Sequence, residues 1–165
     1  MRTSSAIMFS MDISIPMALQ ALSATGSAVK ALTAWGRKAK GDSSALILEL
    51  RDNLTYLDLV AQDGVDLGDL IDKLSVSEYQ RLAKTGFNFN SLKRGKIANL
   101  PSLEGTDLAS WRNKNTGDLI ESIYGKIRDL KIRYPHVRDS KKYRWGVRAN
   151  NIRKRIWLLL RQVSQ

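Results

Sequence analysis

Large apolar residues recur along this chain at helical intervals. Leu46, Leu50, Leu54, Leu57 and Ala61 step by four, four, three and four, which predicts a core-facing stripe on a helix of about four turns. The segment opens at "DSS", and Gly64 is placed to end it. Leu119, Ile123, Ile127 and Leu130 repeat the spacing, with Thr116 available as a cap and Pro135 expected to close the helix. A third stripe, Ile152, Ile156, Leu159 and Val163, is widened by Leu160, while Trp157 and Leu158 fall partly outside it. Near the start, Leu22, Val29 and Leu32 follow Pro16 along one side. The small residues Ala21, Ala24, Ala28 and Ala31 form a second row that lets another helix approach closely.

The intervening segments are shorter. Gly36 and Gly41 bracket a basic connector, and "VDLGDLIDKL" reads as a brief helical element. Ser75 and Glu78 have the spacing of a capping box, ahead of a helix carrying Tyr79 and Leu82 and stopping at Gly86. Phe87 and Phe89 alternate with Asn88 and Asn90. A lone strand would have no partner, so the reading is a loop whose aromatics plug the core. The expected fold class is all-α, a compact bundle of four main helices plus one or two short ones. Residues 1–165 read as one domain, with 1–12 a flexible N-terminus and 126–165 a strongly basic C-terminal quarter.

Charge sharpens the picture. The net charge is +11. Residues 126–165 hold thirteen Lys/Arg against two Asp/Glu, and the remainder holds fourteen of each sign. A basic quarter on a neutral body predicts a surface aimed at an anionic partner. The alternative is that these cations neutralise Asp63, Asp66, Asp69 and Asp72 within the fold. The absence of cysteine excludes disulfides, Cys-ligated zinc, iron–sulfur clusters and thiol catalysis. Seventeen uncharged residues separate Asp12 from Lys30, but Pro16, Gln20, Ser23, Thr25, Gly26 and Ser27 make the run too polar for a membrane span. A soluble, cytoplasmic protein is expected.

The segments "LELRDNLTYLDLV", "DKLSVSEYQRLAKTGFNFNSLKRGKI", "TGDLIESIYGKIRDLK" and "NIRKRIWLLLRQV" together resemble a family of small all-helical bacterial proteins. That likeness spans about two thirds of the chain, implies a helical fold and carries no activity with it. Separately, "MDISIPMALQALSATGSAVKALTAW" is similar to the first helix of HeLo-type cell-death bundles, which perturb membranes. The similarity lies in its small residues, its Met-Asp start and its few charges.

Catalytic signatures are missing. A single histidine, His136, leaves no two-histidine metal site. Its distance from Arg128 and Arg133 departs from the Arg-to-His spacing of helical ribonucleases. No phosphate-cradling glycine loop and no calcium-loop ligand pattern is present. The expectation is a non-enzymatic module with no metal and no cofactor. The candidate polyanion-binding residues are Arg138, Lys141, Lys142, Arg144, Arg148, Arg153, Lys154 and Arg155. Arginine dominates, and its planar fork suits phosphates and carboxylates. Tyr143 and Trp145 are candidate stacking residues, the alternative being that the tryptophans anchor the core. Three partners remain open: the phosphate backbone of nucleic acid first, an acidic protein surface in a larger assembly, or an anionic membrane.

Overall fold

The computed structural model describes residues 27–163. Among them the fold is all-α, made of helices, 3-10 turns and one isolated bridge between Lys96 and Asn115. The described helices are α1 (Ser27–Lys38), α2 (Asp42–Gln62), α3 (Leu67–Leu70, running into a 3-10 turn at Ile71–Lys73), α4 (Ser77–Lys84), α5 (Thr116–Val137) and α6 (Trp145–Val163). Pro16, Leu22, Ala21, Ala24 and the expected flexible residues 1–12 lie outside the described part. No helix among the described residues is long and apolar enough to cross a membrane.

The helical stripes account for the packing. Leu46, Leu50, Leu54 and Leu57 are fully buried on α2, as are Leu119, Ile123 and Ile127 on α5, with Leu130 nearly so. Ala61 is exposed, so the α2 stripe ends one turn earlier than its spacing suggests. Helix α2 packs on α1, α4 and α6, and α6 also packs on α5 and α1. Having partners on several sides changes the character of α6. Every residue from Ile156 to Leu160 is buried, including Trp157 and Leu158. A helix enclosed this way is apolar around most of its circumference rather than along one stripe. Trp157 is therefore a core residue.

Local chemistry sets the helix ends, in places differently from the sequence expectation. The capping box at Ser75–Glu78 does not form. Instead the buried Glu49 carboxylate, from α2, accepts from Glu78 N–H (2.9 Å) and Tyr79 N–H (3.2 Å) at the start of α4. It also accepts from the hydroxyls of Ser75 (2.7 Å) and Ser77 (3.0 Å). A carboxylate at a helix N-terminus satisfies orphan donors and suits the positive end of the dipole. Glu78 turns away to pair with Arg81. Asn53, fully buried, donates to Ser75 C=O and accepts from Ser75 N–H, which pins the same strap to α2.

Helix α5 is capped by Asn115 rather than Thr116, with Asn115 N–H donating to Asp118 at 3.0 Å. Thr116 Oγ1 donates to Lys93 C=O. Pro135 does not close α5, which runs on to Val137. So late in the helix its missing N–H deletes one backbone bond without breaking the rod. Gly64 and Gly86 take left-handed φ values of 68° and 74° just beyond α2 and α4, a conformation that favours glycine at helix ends. Phe87 and Phe89 are half-buried against the core, and Phe89 tilts on Tyr79 with 5.1 Å between ring centroids.

Candidate functional site

The C-terminal cations divide into two groups. Arg153 and Arg155 lie on the buried part of α6. Arg153 Nε donates to Asp58 on α2 at 2.9 Å, with only 6% of the arginine side chain exposed. Arg155 Nη1 donates to Asn151 C=O and lies 3.8 Å from Asp107. Burial lowers the Arg155 pKa and Asp107 opposes the shift. Lys154 is half-buried and pairs with the same Asp107 at 3.4 Å. The exposed edge expected along 153–155 is thus corrected. Two of its three cations sit inside, because α6 is surrounded and their guanidinium groups meet carboxylates from α2 and from the connector before α5.

The second group is exposed. It lies where α5 ends and α6 begins. Arg138 follows the last turn of α5, Lys141 and Lys142 occupy a 3-10 turn, and Arg144 joins that turn to α6. Among the described residues none of these four makes an ion pair. Arg144 holds a left-handed φ of 47°, uncommon for a residue with a side chain. Its carbonyl accepts the Arg148 N–H, the first turn of α6. That first turn carries no acidic residue.

Tyr143 and Trp145 stack on one another, with 5.0 Å between centroids and 5° between planes. Trp145 also meets Tyr134 edge-on and donates from Nε1 to Val137 C=O at 3.3 Å. Arg148 lies over both stacked rings and donates from Nε to Tyr143 C=O at 2.7 Å. The rings are half-buried and serve first as the rigid floor that fixes the cationic turn. They are not splayed to receive bases on both faces.

No family model, curated protein or solved structure matches the chain. The surface is therefore read from its own geometry. Among the described residues, none of the eight ion pairs joins a cation to Asp63, Asp66, Asp69 or Asp72, although Arg138 and Asp66 both reach the space over Gly68. Asp66 instead caps α3, accepting from Gly68 N–H at 2.7 Å.

The fold also brings in residues that no sequence pattern marks. Lys126 and Asp129 on α5 meet Arg148 and Asn151 on α6 around a cleft of about 60 Å³. Asp129 accepts from Arg133 Nε at 2.5 Å and from Arg148 at 3.4 Å. Lys126 gains its neighbours from the register of two helices joined by a tight turn, which no local spacing reveals.

Proposed function

We propose that this protein is a non-enzymatic binding module, a bundle of four main helices with a basic surface that engages nucleic acid through its phosphates. The observation that carries the reading is the group Arg138, Lys141, Lys142 and Arg144, exposed and without ion pairs among the described residues. Phosphate contacts position a protein without reading bases, so little sequence preference is expected. The left-handed Arg144 supports the reading. Glycine would hold that conformation without strain, and a cation kept there at a cost points to a use for its side chain. In this reading the module needs no cofactor and works in the cytoplasm. Its likeness to small helical bacterial proteins belongs to the same proposal.

The test is a titration with duplex DNA at two salt concentrations. With roughly four cations engaged, log K should fall against log salt with a slope near −3.6, so raising salt from ~50 to ~200 mM weakens binding about a hundredfold. Charge reversal at Lys142 and Arg144 together should flatten the slope with the circular dichroism unchanged. An unaltered slope in that variant would remove the surface from consideration. Binding of poly-glutamate or anionic vesicles in place of DNA would transfer the site to an acidic protein or a membrane.

A further inference from the structure

We propose that the cleft between α5 and α6, lined by Lys126, Asp129, Arg148 and Asn151, is a site for one phosphate group. This deepens the nucleic-acid reading, and only the identity of the phosphate's carrier rests on that reading.

Three observations converge. The first is shape. The cleft holds about 60 Å³ between two helices, room for a few waters or one tetrahedral oxyanion. Leu130 and Ile152 form its apolar floor. The second is the donor set. Lys126 supplies an ammonium, Arg148 a guanidinium and Asn151 a side-chain amide, groups that together can bond several phosphate oxygens. The one carboxylate in the wall, Asp129, is already shared by Arg133 and Arg148.

The third is charge imbalance. Lys126, Arg133, Arg148, Lys154 and Arg155 gather around two carboxylates, Asp129 and Asp107. Each carboxylate is divided between two arginine or lysine partners, and Lys126 has no ion pair among the described residues. The Lys126 pKa is lowered, first by desolvation and then by Arg155 and Arg148. Cations held together this way repel one another until an anion joins them. A phosphate would neutralise the excess and bridge α5 to α6.

Thermal melting of the full chain in inorganic phosphate, against sodium chloride of equal ionic strength, tests the site. Phosphate at ~10 mM should raise Tm by a few degrees over the chloride control. Lys126→Gln should abolish most of that rise, and Asn151→Ala should reduce it. Without phosphate, Lys126→Gln should melt at or above the wild-type temperature, because it relieves repulsion. Lys84→Gln, exposed at the end of α4 and outside both basic groups, should keep the full phosphate response. Equal melting in phosphate and chloride, or a full response in Lys126→Gln, overturns the proposal.

Oligonucleotide competition separates the sources. A 5′-phosphorylated strand that displaces inorganic phosphate better than its unphosphorylated twin identifies a terminal phosphate, and equal displacement identifies the backbone diester. If neither strand competes while phosphate still binds through Lys126, the ligand is a free phosphate: the cleft stands and its link to the nucleic-acid reading falls. Salt-dependent DNA binding that Lys126→Gln leaves unchanged, with no phosphate response in the wild type, removes the cleft and keeps the nucleic-acid reading.

Discussion

Arg153 and Arg144 carry the same side chain into opposite circumstances. Arg153 is 5% exposed and paired with Asp58. Truncating it leaves a carboxylate in a largely buried place without its partner, and Arg153→Ala should cost about 3 kcal/mol or more. Arg144 is exposed at a φ of 47°. Arg144→Gly should stabilise the fold by ~0.5–1 kcal/mol while weakening polyanion binding. Urea denaturation of the two variants side by side distinguishes them, and equal stabilities would contradict the burial pattern. Tyr124 gives a pH signature. Its hydroxyl is buried near the Glu49 carboxylate, and burial first, then Glu49, raises its pKa well above the ordinary tyrosine value. A group with a raised folded pKa keeps its proton in the native state while the unfolded chain loses it. Stability from this group is thus intact below pH ~10 and falls as pH rises beyond it. Tyr124→Phe should lessen the fall in Tm between pH 9 and 11, because the variant has no phenol to ionise in the unfolded chain. A wild-type alkaline slope in that variant would assign the loss to other groups.

At the scale of elements, Glu49 is a clear hinge between sequence and fold. It holds four donors at the start of α4. Glu49→Ala should cost about 2–3 kcal/mol, and Glu49→Gln less, since an amide oxygen keeps part of the cap. Hydrogen exchange should show the loss first at Glu78 and Tyr79. Unchanged protection there would mean α4 is capped in another way. The α2 and α5 stripes were legible in the sequence because each is periodic and local. The cap of α4 was not, because its carboxylate comes from 29 residues away from Glu78, and Ser75 and Glu78 offered a nearer, unused pairing. The same limit explains the site. The exposed cations Arg138, Lys141 and Lys142 were readable because no large apolar residue lies between them. Arg153 was not, since its partner lies 95 residues upstream. One local signal did exist: five consecutive large apolar residues, Ile156–Leu160, already exceed what one stripe can hold.

For the whole molecule, the candidate cations behind the excess of +11 include two distinct populations. One is consumed in internal pairs with Asp58 and Asp107. The other stands at the α5–α6 turn and along the neighbouring cleft. Net charge alone therefore overstates the cationic surface, and the salt slope should report the exposed set rather than the total.

The enclosure of α6 bears on synthesis. Helices α1, α2 and α5 all lean on a segment that leaves the ribosome after them. Until residues 145–163 emerge, their leucine faces have no common partner, and the nascent chain must carry uncovered apolar surface for the time it takes to make everything between. A chain arrested at Arg144 should accordingly be captured by chaperones or aggregate, whereas one that includes Val163 should become protease-resistant in a single step. Stepwise resistance, gained helix by helix during translation, would contradict a core that closes last around α6.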